Sequence, residues 1–203
     1  MNDTIQSIYY NEASDGLKRQ IAVMLNRVWP AEELGEITRN THAASLHARS
    51  FYSYSNGRLV SYAGVVHKTI KHGGQTFNIA GLSCVATDPD YLKQGLGLRT
   101  VAAATQWIEK QKGTDFGLFT CEPSLAYFYD RAGAWPVVPD VKLIGSREEG
   151  ALSSEALQVA VLMRLFSAKA GSYESILRHT TIDLDLPVGQ FLQGMKSSRK
   201  RFI

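Results

Sequence analysis

The sequence predicts a mixed α/β fold, in which a central, mostly antiparallel sheet is flanked by helices and followed by a C-terminal extension. Three strand-like stretches joined by short turns occupy the first half of the chain, an order typical of an antiparallel meander. A strand, a glycine turn, a helix and a second strand follow, which predicts a crossover connection. With 203 residues, of which 44% are hydrophobic, the chain can bury an ample core.

The N-terminal region begins with a strand and a helix. Residues Thr4–Tyr10 alternate weakly between polar and apolar side chains, which indicates a first strand. Apolar residues then recur at helical spacing from Asp15 to Val28, so that one face of a helix is apolar. Ser14 is a suitable N-cap. Pro30 ends the helix because it cannot donate a backbone hydrogen bond.

Two turn sequences define the meander. Asn56-Gly57 follows the strand Ser50–Ser55, and this residue pair is typical of a tight hairpin. The next strand spans Arg58–Ile70 and ends at a second turn, Lys71–Gly74. Gln75 then begins the strand that leads into the centre of the chain, so the three strands form an antiparallel meander.

The centre of the chain contains a strand followed by a glycine turn. Ile79–Ala86 is apolar and rich in small residues, as expected for a buried strand, and Asp88-Pro89-Asp90 ends it. Gln94-Gly95-Leu96-Gly97 leads into a helix-forming run from Leu98 to Lys112. Without side chains at the two glycines, several backbone N–H groups can close on one anion at the positive end of the helix. The pattern predicts a phosphate-binding turn, with an ordinary strand-to-helix turn as the alternative.

A second strand and an aromatic helix follow. Gly117–Cys121 is a short strand, and Leu125–Trp135 is a helix-forming stretch that carries several aromatic residues. Val137–Ile144 and Leu157–Phe166 are the last strands predicted in this part of the chain, and the polar stretch Gly145–Glu155 between them is predicted to be a loop. The composition of the last stretch also allows a helix, but its β-branched residues favour a strand.

Together, the two central motifs resemble the GNAT superfamily of acetyl-CoA-dependent N-acyltransferases. Gly95 and Gly97 occupy the two glycine positions of that family's phosphate-binding signature, which opens a helix after a strand. Tyr129, Gly133 and Trp135 match its second signature at the family's spacing. Two motifs in the right order, with a strand between them, are more specific than either motif alone.

The resemblance is close over residues 78–135 and looser over residues 1–166, so it implies a GNAT acetyltransferase domain over 1–166 with the acyl-CoA N-acyltransferase fold. One position departs from the signature, because Leu92 stands where the family carries Arg or Gln. Lys93 or Gln94 is the alternative source of that polar contact. The cofactor-binding residues that the resemblance implies are Val85, Ala86 and Thr87 along the pantetheine arm, and Lys93, Gln94, Gly95, Leu96, Gly97 and Leu98 around the pyrophosphate.

The resemblance also implies two catalytic candidates. Tyr129 corresponds to the family's general acid, which protonates the leaving thiolate, with a purely structural aromatic residue as the alternative. Glu122 stands where many relatives carry Asn; it could take the amine proton through a water, or only cap the next helix. The family layout leaves Cys121 and Glu122 exposed at the end of the second strand. Candidates for the wall of the acceptor site, each with a polar helix surface as the alternative, are Trp29, Glu32, Glu33 and His42.

Residues 167–203 exceed a minimal GNAT domain, and we expect this extension to pack on the domain or on a partner in a homodimer. Ser172–Arg178 is predicted to be a short helix. Alternation over Thr181–Leu186 predicts an added edge strand, whose apolar stripe needs a cover. The tail 196–203 holds four cationic residues and no acid, so the formal net charge of +3 becomes −1 without it. We interpret the tail as a solvated terminus rather than a nucleic-acid-binding arm.

The cysteines, the N-terminal sequence and the lack of long apolar runs predict where the protein is located. Both cysteines, Cys84 and Cys121, lie in strand-like stretches and are expected to be buried small hydrophobes rather than metal ligands. The N-terminus lacks the basic and apolar pattern of a signal peptide, and no apolar run is long enough to cross a membrane. We therefore expect a cytoplasmic protein that uses no metal and has neither a membrane nor a nucleic acid as partner.

The predicted function is transfer of an acetyl group from acetyl-CoA, the cosubstrate, to a primary amine of a small molecule. The acceptor attacks directly in a ternary complex, because positioning can replace a covalent intermediate. Cys121-Glu122-Pro123 and the run Val85–Asp90 are most similar to the aminoglycoside N-acetyltransferase and nodulation acyltransferase side of the superfamily. A catalytically weak acyl-CoA-binding or regulatory module is the alternative, which Leu92 favours.

Overall fold

The computed structural model describes residues 4–30, 41–146 and 149–187. In chain order, its strands and helices are β1 (Gln6–Tyr9), α1 (Asp15–Val28), β2 (Arg49–Ser55), β3 (Arg58–His72), β4 (Gln75–Thr87), α2 (Leu96–Lys110), β5 (Phe116–Cys121), α3 (Ala126–Gly133), β6 (Val141–Ile144), β7 (Ala160–Leu165), α4 (Ala168–Ser172), α5 (Glu174–Leu177) and β8 (Thr180–Asp183). The candidates Glu32 and Glu33 and the basic tail 196–203 lie outside the described residues.

Six of the strands form one sheet in the order β1-β2-β3-β4-β5-β7, and β6 and β8 form a second sheet. Strand β2 is antiparallel to β1 and β3, and β5 is antiparallel to β7. The pair β4–β5 is parallel, with α2 in the connection between the two strands. The predicted mixed fold, with a mostly antiparallel central sheet and flanking helices, is therefore confirmed.

The chain divides into two compact units, and β3, β4 and α2 run through both. Unit 1 contains the described residues up to 66 together with 82–104. Unit 2 contains residues 67–81 and the described residues from 105 to 187. Each unit has its own buried apolar cluster, so each is described by itself below.

In unit 1, helix α1 has the boundaries that the sequence predicts. The Ser14 hydroxyl accepts a hydrogen bond from the Leu17 N–H at 3.2 Å, so the predicted N-cap is confirmed. The helix ends at Val28, two residues before Pro30. Its apolar face contributes to the buried cluster of the unit, which consists of Tyr10, Ala13, Leu17, Ile21, Met24, Val28, Ala48, Tyr52, Leu59, Tyr62, Cys84 and Ala86.

Both predicted meander turns are present and use left-handed backbone. Asn56 and Gly57 have φ values of 49° and 76°, between β2 and β3. Gly73 and Gly74 have φ values of 53° and 75°, between β3 and β4. Two consecutive residues with positive φ suit a tight hairpin, because the twist of such a turn matches that of the flanking strands.

In unit 2, the C-terminal extension supplies part of the core. Strand β8 pairs in parallel with β6 over four residue pairs. Ile182 and Leu184 are buried in the same apolar cluster as Phe116 and Leu143. The predicted strand is therefore present at Thr180–Asp183, but it lies in the two-stranded sheet and not at an edge of the six-stranded one.

Three elements of unit 2 are shorter than predicted. The strand before the predicted loop begins only at Val141, because Pro139 has no backbone N–H to give to a ladder. The last strand of the six-stranded sheet begins at Ala160, after a turn. The helix predicted over Ser172–Arg178 is the four-residue helix α5, Glu174–Leu177, and the separate helix α4 ends at Ser172 before it.

We expect Ile182→Ala to lower the free energy of unfolding by about 2–5 kcal/mol, because Ile182 is fully buried and the change leaves a cavity. Thr181→Ala, on the exposed face of the same strand, is the matched control and should change it by less than about 0.5 kcal/mol. Urea unfolding followed by circular dichroism measures both. Equal effects of the two changes would show that β8 contributes no core packing.

Candidate functional site

A buried carboxylate anchors the turn after β4 in unit 1. Asp88 has a fully buried side chain, and its Oδ2 lies 2.6 Å from Arg58 Nη2 and 3.2 Å from Arg27 Nε. Its Oδ1 accepts a hydrogen bond from the backbone N–H of Asp90 at 3.0 Å. Its own N–H donates to the Val60 carbonyl at 2.8 Å. Because a buried carboxylate is stable only when it is paired and hydrogen-bonded, these contacts fix where the turn begins.

The glycine turn then leads into α2. Lys93 and Gly95 have φ values of 60° and 72°, so both adopt the left-handed region in which glycine has no steric penalty. Helix α2 begins at Leu96, and the Arg99 N–H donates to the Gly95 carbonyl at 3.1 Å. The N–H groups of a first helical turn have no acceptor within the helix, and they carry the positive end of its dipole. The predicted strand–turn–helix geometry is therefore present.

The residues predicted to contact the pyrophosphate differ in their exposure to solvent. Lys93, Gln94 and Gly95 are exposed, and Leu98 is half-buried. Leu96 and Gly97 are buried, so their backbone rather than a side chain can face a ligand. The turn can therefore offer a phosphate two exposed polar side chains and the free N–H groups of the first helical turn.

The end of β4 holds the residues predicted to contact the pantetheine arm. Ala86 and Thr87 are buried and Val85 is half-buried. The Ser61 hydroxyl donates to the Ala86 carbonyl at 3.5 Å. Cys84, directly before this run, has a φ of 53°, which is rare for a residue with a side chain and marks a local distortion of the strand. No sequence signal predicted this distortion.

Strands β4 and β5 approach each other closely within unit 2. Their parallel pairing joins Ile79 with Phe116 and Ala80 with Gly117. A Cβ at Gly81 would lie 2.6 Å from the Leu118 carbonyl oxygen, so only glycine fits there. The close approach explains why the sequence of β4 is rich in small residues at this point.

Tyr129 lies on α3 in unit 2 and is buried. Its ring makes edge contacts with Phe119 and Phe128, with centroids 5.0 Å apart in both pairs. Burial, with a smaller contribution from Cys121, raises the pKa of the Tyr129 phenol well above its ordinary value. The phenol is therefore protonated at neutral pH.

The other two residues of the second motif, Gly133 and Trp135, are needed for packing around the end of α3. A Cβ at Gly133 would lie 2.5 Å from the Thr105 hydroxyl oxygen. That hydroxyl accepts a hydrogen bond from the Trp135 indole N–H at 2.8 Å, and Trp135 is fully buried. Arg164 donates a hydrogen bond to the Gly133 carbonyl at 2.7 Å, so this carbonyl at the end of the helix has a partner. The spacing of the motif therefore sets how α3 ends.

The end of β5 differs from the expectation at one residue. Glu122 is exposed, as expected, and occupies the N-cap position of a 3-10 helix at Pro123–Leu125 without a side-chain capping bond. The family layout placed Cys121 exposed beside it, but Cys121 is buried, and burial raises the pKa of its thiol to about 12. Cys84 is also buried, and the two cysteines form no disulfide bond, so the prediction from the sequence that both are buried hydrophobes is confirmed.

A buried polar network in unit 1 involves one of the acceptor-wall candidates. His42 is 3% exposed, and its Nε2 lies 2.8 Å from the Tyr62 hydroxyl, which in turn lies 3.0 Å from the Ser50 hydroxyl. His42 Nδ1 is buried and has no hydrogen-bond partner in the part of the chain that is described. Burial lowers the pKa of His42 to about 4. The alternative of a polar helix surface is therefore wrong for His42, whereas Trp29 packs at the edge of the unit 1 core.

The described residues contain neither a metal-binding cluster nor a membrane-spanning helix. No group of three or more His, Cys, Asp or Glu side chains there is arranged to hold a metal ion. No helix in the described ranges has the length and apolar character needed to cross a membrane.

We expect Asp88→Asn to lower the free energy of unfolding by about 1.5–3 kcal/mol, since it removes charge-assisted hydrogen bonds from a buried carboxylate. Asp90→Asn is the matched control, because Asp90 contacts the same two arginines but its side chain is 59% exposed. Its effect should stay below about 1 kcal/mol. Urea unfolding compares the two variants, and a larger loss for Asp90→Asn would contradict the role given to Asp88.

Comparison with known proteins gives a family and a fold. The model of the acetyltransferase (GNAT) domain matches residues 10–137. Among similar solved structures, the GNAT family N-acetyltransferase YhbS from Escherichia coli, in complex with CoA, has 13% identity, a TM-score of 0.59 and coverage of 89% of this chain and 88% of that chain. An acyl-CoA N-acyltransferase from Pseudomonas aeruginosa has 13% identity, a TM-score of 0.55 and coverage of 79% and 98%.

A probable N-acyltransferase from Enterococcus faecalis has 13% identity and a TM-score of 0.53, with 68% of this chain covered. This chain spans only 33% of that protein. No curated protein matches the sequence. The structural likenesses establish the fold, while the domain match covers more than half of the chain and includes both motifs. The chain belongs to the GNAT acetyltransferase family.

Proposed function

We propose that the protein transfers an acetyl group from acetyl-CoA to a primary amine of a small molecule. The observation that carries the proposal is the strand–turn–helix at Gly95 and Gly97, in a chain of this family that also holds the Tyr129 motif. The acceptor attacks the thioester directly in a ternary complex. No enzyme nucleophile is needed, since binding both substrates side by side supplies the positioning.

The end of β4 and the start of α2 supply the cofactor contacts in this proposal. The N–H groups at the start of α2, with Gly95 and Gly97, bind the pyrophosphate, and the exposed Lys93 and Gln94 replace the polar contact absent at Leu92. Val85, Ala86 and Thr87 bind the pantetheine arm along β4. CoA as the ligand class is supported by the E. coli neighbour YhbS, whose structure contains CoA.

Tyr129 is the general acid in this proposal. Tyr129 keeps its proton at neutral pH and gives it to the sulfur as the C–S bond breaks. The thiolate that develops on the leaving group is the base that draws this proton. Glu122 is exposed and makes no capping bond, so its carboxylate is available to take the amine proton through a water.

The acceptor class is the least constrained part of the proposal. The likeness of Cys121-Glu122-Pro123 and Val85–Asp90 to aminoglycoside- and nodulation-type enzymes makes aminoglycosides the first amines to test. The direct test is release of free CoA thiol from acetyl-CoA across aminoglycosides, polyamines and peptide N-termini. Amine-dependent release with an N-acetylated product detected by mass spectrometry supports the proposal.

A regulatory acyl-CoA-binding module is the second candidate, and Leu92 is the observation that favours it. It predicts CoA binding by calorimetry without turnover of any amine in the panel. Leu92→Arg restores the residue type of the family and distinguishes an enzyme from a regulatory module. If the wild-type protein is already an enzyme, this change should tighten CoA binding, and acetyl transfer should not depend on it.

We expect Gly97→Val to weaken CoA binding by at least about tenfold, because a branched side chain at the start of α2 blocks approach of the pyrophosphate to the backbone. Isothermal titration calorimetry measures the affinity, and the melting temperature checks that the variant folds. Gly171→Ala is the control, since a Cβ there meets no atom within 4 Å. If Gly97→Val binds CoA as tightly as the wild type, the glycine turn is not part of the CoA-binding site.

Tyr129→Phe should lower kcat by about 10² or more with little change in KM for acetyl-CoA, because it keeps the ring and removes only the donated proton. Tyr127→Phe is the matched control, as Tyr127 lies on the same helix but is 71% exposed. Steady-state kinetics with the best amine, under conditions in which chemistry limits the rate, compare the two. If Tyr129→Phe keeps more than about half of kcat, Tyr129 is only a core aromatic residue, since general acid catalysis is worth far more than twofold.

A further inference from the structure

The glycine turn lies in a stretch of the chain that carries only positive charge. Between Asp90 and Glu109, a stretch that includes the turn and most of α2, the sequence has two cationic residues, Lys93 and Arg99, and no acidic one. The N–H groups at the start of α2 add the positive end of the helix dipole. Side chains and backbone at the turn therefore both favour an anion.

The acidic residues that precede this stretch are engaged by other cations. Asp88 and Asp90 are each paired with both Arg27 and Arg58, and the four N···O distances lie between 2.6 and 3.4 Å. Two carboxylates and two guanidinium groups form this cluster, so their formal charges cancel. The cluster therefore fixes the start of the turn and does not offset the positive charge of the residues that follow.

The Arg99 side chain folds back from the first turn of α2 onto the glycine turn. Its Nη1 donates a hydrogen bond to the Gln94 carbonyl at 3.3 Å. A Cβ added at Gly95 would lie 3.4 Å from the same nitrogen. The Arg99 backbone N–H donates to the Gly95 carbonyl at 3.1 Å, so main chain and side chain contact the same part of the turn. Arg99, Gln94 and Gly95 are all exposed, so a ligand on the turn can reach the guanidinium.

We propose that Arg99 binds the pyrophosphate of CoA through its guanidinium, together with the backbone N–H groups at the start of α2. Since the pyrophosphate site belongs to the proposed function, the role of Arg99 rests on that function. A guanidinium has five N–H donors in a planar fork, so it can bond to the Gln94 carbonyl and to a phosphate oxygen at the same time. The cation that is missing at Leu92, before the glycines, is then supplied after them from within α2.

Arg99 and Lys93 contribute to the phosphate site in different ways. Lys93 precedes Gly95 and is a flexible point charge, whereas Arg99 follows Gly97 and presents a fork that matches two phosphate oxygens. Because the bond to Gln94 already orders the Arg99 side chain, binding a phosphate costs it less conformational freedom. Its contact is with the pyrophosphate and not with a reacting atom, so Arg99 should influence KM for acetyl-CoA and not kcat.

Arg99→Gln removes the charge and keeps a polar side chain. We expect it to weaken binding of CoA and of 3′-dephospho-CoA by about the same factor, roughly tenfold, because both ligands contain the pyrophosphate. Pantetheine, which contains no phosphate, should bind to Arg99→Gln and to the wild type alike in isothermal titration calorimetry. In steady-state kinetics, KM for acetyl-CoA should rise while kcat changes by less than about twofold. Arg19→Gln is the matched control, because it removes the same charge from an exposed position on α1 of the same unit.

The binding data distinguish the role of Arg99 from the proposed function. If the wild type binds CoA and Arg99→Gln binds it equally well, or if Arg19→Gln loses as much affinity, the role of Arg99 is wrong and the proposed function stands. A loss of affinity for CoA but not for 3′-dephospho-CoA assigns Arg99 to the 3′-phosphate and overturns its contact with the pyrophosphate. If the folded wild type binds no CoA, the proposed function falls as well.

A measurement on the wild type covers the case in which Arg99→Gln does not fold. The ¹⁵N resonance of Arg99 Nε is followed while 3′-dephospho-CoA or pantetheine is added. A shift with 3′-dephospho-CoA but not with pantetheine supports the contact with the pyrophosphate. An unchanged resonance at saturating 3′-dephospho-CoA, or the same shift with both ligands, overturns it.

Discussion

The architecture of unit 1 around the glycine turn depends on one buried carboxylate. Asp88 joins Arg27 on α1 and Arg58 on β3 to the turn that follows β4. Taking a carboxylate out of water is costly unless it is paired and hydrogen-bonded, so each of these contacts constrains the others. Residues 93–98 begin five residues after this anchor, and the direction of α2 at its first turn follows from it. A site that binds phosphate through backbone N–H groups needs such a fixed starting point, because backbone groups cannot adjust as long side chains do.

Unit 2 uses a steric constraint in place of an ionic one. Gly133 allows α3 to approach Thr105, and the Trp135 indole N–H closes the contact through the same hydroxyl. Tyr129 lies one turn earlier on the helix, so its ring is held by the packing that the glycine and the tryptophan make possible. The second family signature therefore describes how the helix ends as much as which group donates a proton.

Local patterns predicted most of the elements that position the candidate site. The cap at Ser14, the turn at Asn56-Gly57 and the start of α2 follow from interactions within a few residues, which a sequence displays directly. The left-handed backbone at Cys84 was not predicted, and the family layout wrongly placed Cys121 at an exposed strand end. Both outcomes depend on neighbours that are distant in the chain.

The sequence by itself determined the mixed fold, the two family motifs and the residues that belong to them, because periodicity, turn chemistry and spacing are local properties. Only the tertiary structure decided that β8 pairs with β6 and that the His42 imidazole is buried next to Tyr62. His42, Ser50, Tyr62 and Gly64 come from separate segments with no shared pattern. Their contact, and the burial that lowers the pKa of the ring, result from how the strands pack together, and no stretch of sequence encodes that alone.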